Sequence, residues 1–145
     1  MKVLVQRVKE AKVRVEEEVV GSIGKGLLVF LAVKDTDTGE EIDWLVNKIT
    51  NLRIFEDAEG KLNRSMLDEH YEILVVSQFT LYGDCQKGNR PSFIHSAKPD
   101  IAEKLYNEFV EKLKKIVVKV ETGKFQHMMD VTLTNWGPTT LVIEK

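Results

Sequence analysis

Leu27-Leu28-Val29-Phe30-Leu31-Ala32-Val33 is an uninterrupted apolar run, which is typical of a strand buried on both faces. Ile73 to Val76 forms a second run of the same character. Upstream, Met1 to Val8 and Ala11 to Val20 alternate apolar and polar residues, which predicts two half-buried strands. The GSIGKG stretch at Gly21 to Gly26 lacks the spacing of a dinucleotide-binding fingerprint. We therefore interpret it as a hairpin turn.

Two helices are predicted beside these strands. Thr38 and Glu41 have the spacing of a capping box, and an apolar stripe follows, so the first helix is placed at about Gly39 to Asn51. Pro99 suits the first turn of the second helix. The apolar stripe of that helix consists of Ile101, Leu105, Phe109 and Leu113. Three further strands are expected at Ile116 to Val120, Met128 to Leu133 and Thr140 to Ile143.

These elements predict an α/β fold in a single domain, residues 1–145, with mixed, mostly antiparallel sheets and two helices packed outside them. The chain is 43% apolar and 30% charged, an ordinary globular balance. It has neither an apolar run of membrane-spanning length nor a signal-peptide pattern, so we expect a cytoplasmic protein without a membrane partner. A net charge of -2 argues against a broadly basic nucleic-acid binder, and no DNA partner is expected.

Familiar catalytic patterns are missing from the sequence. His70, His95 and His127 are scattered and Cys85 is the single cysteine, so no metal site and no cofactor are expected. The chain contains neither a GxSxG elbow nor a GxxxxGK[ST] phosphate loop. Cys85 and His95 fall on one loop and can in principle pair as nucleophile and base, but we favour an unrelated thiol and imidazole.

Ser77-Gln78-Phe79-Thr80 follows the buried run at Ile73 to Val76 with an abrupt change to polar and aromatic residues. Strand ends of this kind often face a pocket, because the sheet fixes the backbone while the side chains reach solvent. Ordinary strand termination explains the same change. The loop that follows, Gly83 to Pro99, carries a modest basic cluster that a few phosphates of an RNA end can contact. That cluster consists of Lys87, Arg90 and Lys98.

Asn135-Trp136-Gly137-Pro138-Thr139-Thr140 lies between two predicted strands and has the composition of a turn. Together with four other stretches it closely resembles the D-aminoacyl-tRNA deacylase family. The matching stretches span the chain in the family's order: Gln6-Arg7-Val8, Leu52-Arg53-Ile54-Phe55, Ser77-Gln78-Phe79-Thr80-Leu81, Gly88-Asn89-Arg90-Pro91-Ser92-Phe93 and Asn135-Trp136-Gly137-Pro138.

The resemblance implies a homodimer with active sites at the subunit interface, acting on the ester that joins a D-amino acid to the 3′ end of tRNA. It implies that Gly137-Pro138 is cis, enters the partner's pocket and rejects L-amino acids. Because a filter that works only by rejection admits a residue without a side chain, we also expect tRNA charged with glycine as a substrate. The pocket itself is lined by Ser77 to Thr80, and Arg7 helps to hold the Gly-Pro element. We assign Met129 and Asn135 to the same substrate-binding surface. The family needs no metal.

Three positions depart from what the family commonly has. Gln126-His127 stands in place of Gly-Ala, Trp136 in place of Asp or a similar residue, and Thr139 in place of Val. Residues 126 and 127 are expected close to the pocket-forming strand, where bulky side chains alter the pocket's shape. The Gly137-Pro138 dipeptide is intact.

An aminoacyl ester is already activated, so its hydrolysis needs positioning and oxyanion stabilisation more than a strong nucleophile. The backbone N–H groups of Phe79 and Thr80 are our candidate oxyanion donors. Thr80 Oγ1 is an alternative nucleophile, although no side chain in its motif is an obvious base for it. Two other functions stay open at this point: a non-catalytic module that holds tRNA ends, and a general esterase or amidohydrolase that uses Thr80 or Cys85.

Overall fold

The computed structural model describes residues 1–145. Eight strands, two α-helices and one short 3₁₀ helix follow one another along the chain: β1 (Lys2–Val15), β2 (Glu18–Ile23), β3 (Gly26–Ala32), α1 (Glu40–Thr50), β4 (Phe55–Glu56), β5 (Leu62–Arg64), β6 (Glu72–Ser77), the 3₁₀ helix (Phe79–Tyr82), α2 (Pro99–Lys114), β7 (Val120–Thr122) and β8 (Asp130–Glu144). No helix is long and apolar enough to cross a membrane.

The main sheet has six strands in the order β2-β1-β3-β6-β7, with β8 paired to β1. Its β3–β6 and β6–β7 pairs are parallel and its other pairs antiparallel, which confirms the predicted mostly antiparallel α/β fold. Strand β1 pairs with β3 over Lys2 to Val8 and with β2 over Ala11 to Val15, so the sheet curls. At Gly21 in β2 a Cβ atom would lie 2.4 Å from the Thr122 carbonyl oxygen of β7, so only glycine permits this approach.

Both faces of β3 and β6 are buried, as their apolar runs predict, except at Phe30 and the two ends of β6, which are half-buried. One face packs against α1 and α2 in a cluster of 22 buried residues that includes Leu27, Val29 and Val75. The opposite face lies inside the curl of the sheet, where Leu28, Leu74 and five other buried residues form a smaller cluster. The sheet therefore holds the end of β6 rigidly from both sides.

Several predicted boundaries were wrong. The predicted strand at Ala11 to Val20 is interrupted at Glu16 (φ 56°), where the chain turns from β1 into β2. Ile116 to Val120 is not a strand except at its last residue, because Ile116 and Val117 still donate to the Leu113 carbonyl at the end of α2. The strands predicted at Met128 to Leu133 and Thr140 to Ile143 are one continuous strand, β8, which begins at Asp130 and so leaves out Met128 and Met129.

Both helices lie where they were predicted, with differences in detail. The N-cap of α1 is Gly39 without a side-chain cap, so Thr38 does not cap it. The Glu41 carboxylate accepts from the Thr38 and Gly39 N–H groups, as expected of its half of the box. In α2, Ile101 is 41% exposed and was wrongly placed in the stripe. The buried stripe consists of Leu105, Tyr106, Phe109, Val110 and Leu113.

Tyr106 ties α2 to β6, because its buried hydroxyl donates to the Val75 carbonyl at 2.8 Å. Burial raises the pKa of this phenol above its value in the unfolded chain, which is ~10. The stability that the neutral phenol contributes is therefore fully present below pH ~10 and is lost as the pH rises further. We expect Tyr106→Phe to lower the free energy of unfolding by about 0.5–1.5 kcal/mol at neutral pH. Above about pH 10, the free energy of unfolding obtained from urea titrations should then fall less steeply with pH for the variant than for the unmodified chain. Equal slopes would contradict this assignment.

Candidate functional site

A pocket of about 830 Å³ opens where β3 and β6 end. Its walls come from these two strand ends, the loop before α2, the start of α2, the Phe125 to Met129 segment and the start of β8. Ser77, Gln78, Phe79 and Met129, all proposed from the sequence, line it. The change from apolar to polar residues after Val76 therefore coincides with the edge of a pocket.

The backbone turns sharply at this edge. Strand β6 ends at Ser77, and the Gln78 N–H donates to the Leu31 carbonyl at 2.8 Å. The Leu81 N–H then donates to the Gln78 carbonyl at 3.2 Å, which starts the 3₁₀ helix. Because the N–H groups of Phe79 and Thr80 precede that bond, they have no partner within the helix. Two adjacent backbone donors are thus available beside the pocket.

Side chains from the Gly83 to Pro99 loop hold this turn in place. The Phe79 and Phe93 rings pack edge to face, with 5.0 Å between their centroids. Ser96 Oγ donates to the Phe79 carbonyl at 3.2 Å. Both Phe93 and Ser96 also line the pocket. Sequence reasoning missed them, because an irregular loop carries no periodicity that indicates which side chains turn inward.

Thr80 does not line this pocket, although the preceding residues Ser77, Gln78 and Phe79 do. Its Oγ1 accepts a hydrogen bond from the Gln78 Nε2 amide. Neither an imidazole nor a carboxylate is hydrogen-bonded to that hydroxyl, so it has no base beside it. The chain also contains no group of three His, Cys, Asp or Glu side chains arranged to hold a metal ion.

The opposite wall is a tight segment between β7 and β8. Gln126 has a left-handed backbone (φ 58°), and His127 Nδ1 lies 2.8 Å from the Phe125 carbonyl oxygen. Met129 Sδ accepts from the Lys124 N–H at 3.3 Å. Gln126 and His127 line the pocket, as their expected closeness to the pocket-forming strand predicts.

Gly137-Pro138 lies in a bulge of β8, and the predicted turn between two strands was wrong. Gln6 of β1 pairs with Thr140, and Val8 pairs with Asn135, so Trp136 to Thr139 stand opposite Arg7 alone. The Gly137-Pro138 bond is cis, as the resemblance implies, and Gly137 has a φ of 131°. The sequence could not distinguish this bulge from a turn, because both favour Gly and Pro.

Arg7 holds the bulge from below. The residue is 3% exposed, and its Nε donates to the Trp136 carbonyl at 2.9 Å. Its Nη1 donates to the Ile54 carbonyl at 2.5 Å. A buried guanidinium with two carbonyl acceptors cannot leave without exposing unsatisfied polar groups, so the Trp136 carbonyl is firmly fixed.

Asn135 closes the bulge across its base. Its Oδ1 accepts from the Thr139 N–H at 2.9 Å, and its Nδ2 donates to Thr140 Oγ1 at 2.8 Å. Both ends of the Gly137-Pro138 dipeptide are thereby held by side-chain hydrogen bonds. Gly137 and Pro138 themselves are exposed.

The predicted site residues fall into two separate groups within one chain. Ser77, Gln78, Phe79 and Met129 surround the pocket, whereas Gly137 and Pro138 do not line it. The bulge group is formed by Arg7, Asn135, Gly137 and Pro138. In the predicted basic cluster, Lys87, Arg90 and Lys98 are exposed, and Lys98 directly precedes the pocket-lining Pro99.

A second pocket of about 550 Å³ contains both Cys85 and His95 among its lining residues. No hydrogen bond joins the two side chains, and Cys85 is an exposed free thiol. The sequence-based preference for an unrelated thiol and imidazole agrees with this missing contact.

Comparison with known proteins gives one consistent result. A family model described as D-Tyr-tRNA(Tyr) deacylase matches residues 4–144. The D-aminoacyl-tRNA deacylase of Desulfatibacillum aliphaticivorans is 56% identical over 144 residues, which cover 99% of each chain. That of Aquifex aeolicus is also 56% identical, over 99% of this chain and 97% of its own.

Two solved structures are similar over almost the whole chain. One, described as c-Myc DNA unwinding element binding protein, has a TM-score of 0.95 and 43% identity over 100% of this chain and 99% of its own. The other, described as a probable eukaryotic D-amino acid tRNA deacylase, has a TM-score of 0.84 over 98% of this chain and 97% of its own. At 20% identity the second shows a shared fold alone. With the family match and the full-length relatives, this chain belongs to the D-aminoacyl-tRNA deacylase family of hydrolases.

Proposed function

We propose that this chain hydrolyses the ester that joins a D-amino acid to the 3′ end of tRNA, releasing the free amino acid and tRNA. We further propose a cytoplasmic homodimer in which Gly137-Pro138 of one subunit closes the pocket of the other and rejects L-amino acids during translation. One observation carries the proposal: a pocket with two free backbone donors and a rigid Gly-Pro bulge occupy different surfaces of the same chain.

The backbone N–H groups of Phe79 and Thr80 are the proposed oxyanion donors. When water attacks the ester carbonyl, negative charge develops on its oxygen, and fixed donors stabilise that charge without reorganising. Strand β6 and the Phe93 and Ser96 contacts fix the backbone here. The ester C–O bond then breaks, and the ribose oxygen that leaves takes a proton.

Water is the proposed nucleophile, because Thr80 Oγ1 accepts a hydrogen bond from Gln78 and has no base beside it. We propose that the hydroxyl of the terminal ribose next to the ester assists the water. A substrate that ends in a 2′-deoxy ribose should then react much more slowly. The side chains of Ser77 and Gln78 shape the pocket and orient the turn.

Replacing Phe79 tests the oxyanion donors. Proline is tolerated at the first position of a helix but lacks the N–H group, and Gln78 before it lies outside the α region that proline disfavours in the preceding residue (φ -145°, ψ 77°). We expect Phe79→Pro to lower kcat for D-Tyr-tRNA by about 10²–10³-fold. Phe79→Ala removes the same ring and its contact with Phe93 but keeps the donor, so its kcat should fall much less than that of Phe79→Pro.

Equal losses in the two Phe79 variants would overturn the backbone-donor assignment. Thr80→Ala tests, in the same assay, the alternative that Thr80 Oγ1 is the nucleophile. A nucleophilic Thr80 predicts complete loss of activity, whereas the proposed mechanism predicts that kcat falls by less than about tenfold, since the Thr80 N–H group remains.

The chiral filter is proposed to work by steric exclusion. D- and L-esters have the same bonds and exchange only the positions of the side chain and the hydrogen on Cα. Rejection of every L-residue therefore requires an obstacle that stays in place. A side chain can rotate between rotamers, whereas the backbone of Gly137-Pro138 is held by Arg7 and Asn135.

Glycine has no side chain to exclude, so tRNA carrying glycine, including glycine mischarged on tRNA-Ala, is a second proposed substrate. Deacylation of glycyl-tRNA at a measurable rate is the expected result. A complete lack of reaction would show that the D side chain is recognised positively and not only admitted.

The proposed homodimer is supported by an apolar sheet face that points to solvent in the single chain. Leu4 of β1 pairs with Phe30 on one side and with Val142 on the other, so these three side chains share a face. Val142 is 63% exposed, and Phe30 and Leu4 are only half-buried. A partly exposed apolar face of this kind is typical of a protein–protein interface.

Exposed Lys87, Arg90 and Lys98 are the proposed contacts to tRNA phosphates.

A further inference from the structure

Trp136, which directly precedes Gly137, has two cations close to its ring. The Arg7 guanidinium carbon is 5.1 Å from the centroid of its ring system, and Lys25 Nζ is 5.4 Å from it. Its ring also packs against those of Phe55 and Tyr71, at 6.2 and 6.4 Å between centroids. Trp136 therefore connects the bulge to the main hydrophobic cluster.

These contacts link the bulge to the strand that ends at the pocket. Lys25 lies in the turn between β2 and β3, and its carbonyl accepts from the Glu72 N–H at the start of β6 at 3.1 Å. Arg7 contacts both the Trp136 carbonyl and the Trp136 ring, so a displaced ring also disturbs the hydrogen bond that fixes the bulge. The ring and the backbone of Trp136 are held as one unit.

We propose that Trp136 is a positioning residue for chiral selectivity: its ring, in contact with Arg7 and Lys25, sets where the Gly137-Pro138 backbone stands. The inference rests on the proposed filter function of that dipeptide. A loosened bulge should admit L-substrates while the catalytic donors at Phe79 and Thr80 are unchanged.

Trp44 provides a matched control, because it is the chain's other tryptophan and also has two lysines near its ring. Lys48 and Lys145 each lie 5.4 Å from its centroid, and it belongs to α1, away from both the pocket and the bulge. Trp136→Ala should lower the ratio of D-Tyr-tRNA to L-Tyr-tRNA hydrolysis, in kcat/KM, by roughly 10- to 100-fold. Trp136→Phe, which keeps an aromatic face for both cations, should retain most of the selectivity ratio of the unmodified chain. Trp44→Ala should leave it unchanged.

Lys25→Met removes one cation while keeping an unbranched side chain, so it should lower the ratio less than Trp136→Ala does. In a Trp44→Phe background, Trp136 is the sole tryptophan, and its fluorescence reports the bulge directly. Lys25→Met should make that fluorescence more easily quenched by acrylamide if the ring loosens. Unchanged quenching together with an unchanged ratio would overturn the inference even if Trp136→Ala failed to fold.

Gly137→Ala, measured in parallel, distinguishes this inference from the function on which it rests. If Gly137→Ala changes the ratio and the Trp136 variants do not, the filter stands and the role of Trp136 is wrong. If neither changes the ratio, the filter itself is wrong. A loss of D- and L-hydrolysis in equal proportion in Trp136→Ala would mean a general structural role and would also contradict positioning.

Discussion

The Gly137→Ala variant is expected to hydrolyse L-Tyr-tRNA about 100-fold faster than the unmodified chain does, because misplacement of a positioning element by ~1 Å has effects of this size. A Cβ atom at this position would lie 2.8 Å from Arg7 Nη2 and 2.8 Å from Thr139 Oγ1. The φ of 131° is also one that L-residues rarely adopt. The bulge must therefore shift, while the donors at Phe79 and Thr80 keep their positions.

Gly60→Ala is the control for backbone strain alone. Gly60 has a φ of 76° in the turn between β4 and β5, and an added Cβ there meets nothing within 4 Å. Both glycine variants should lose stability, but only Gly137→Ala should hydrolyse the L-substrate. Initial rates on D-Tyr-tRNA and L-Tyr-tRNA measure the difference. Strict D-selectivity in Gly137→Ala would show that the dipeptide is not the filter.

The sequence predicted the interior of this fold better than its edges. The apolar runs at β3 and β6 could be recognised as buried strands from their composition alone, because a strand buried on both faces needs apolar residues at nearly every position. The ends of β1, β7 and β8 depend on contacts with distant residues. Strand β7, for example, begins only at Val120, where it pairs with Ile73 of β6. Ile116 and Val117 are apolar enough for a strand but donate to the Leu113 carbonyl at the end of α2 instead.

The same distinction holds for the site. The polar residues after Val76 indicated the pocket edge, since a local change of pattern marks it. The bulge at Gly137-Pro138 was misjudged as a turn, because the partner that defines it, Arg7, is distant in sequence. Trp136 was noted only as a departure from the family. Its role depends on Lys25 and Arg7 meeting across the fold, which no spacing in the sequence reveals.

Mixed dimers are expected to regain D-selectivity when one chain carries Gly137→Ala and the other carries Phe79→Pro. In a site shared between subunits, the intact pocket of the Gly137→Ala chain receives the intact Gly-Pro element of the Phe79→Pro chain. The other site combines both defects and is inactive. The Phe79→Pro chain, although inactive by itself, should thus lower L-Tyr-tRNA hydrolysis by about the same 100-fold by which Gly137→Ala raises it.

The most direct test of the shared site is the rate of L-Tyr-tRNA hydrolysis by Gly137→Ala after subunit exchange with excess Phe79→Pro chain. The same excess of a Phe79→Pro, Gly137→Ala double variant serves as the control, since it supplies no intact Gly-Pro element. If the filter acts across the interface, the Phe79→Pro chain abolishes L-hydrolysis and preserves D-hydrolysis, whereas the double variant leaves the L-rate high. An L-rate that stays equally high with both partners would contradict the account, because each pocket would then be filtered by its own chain or by neither.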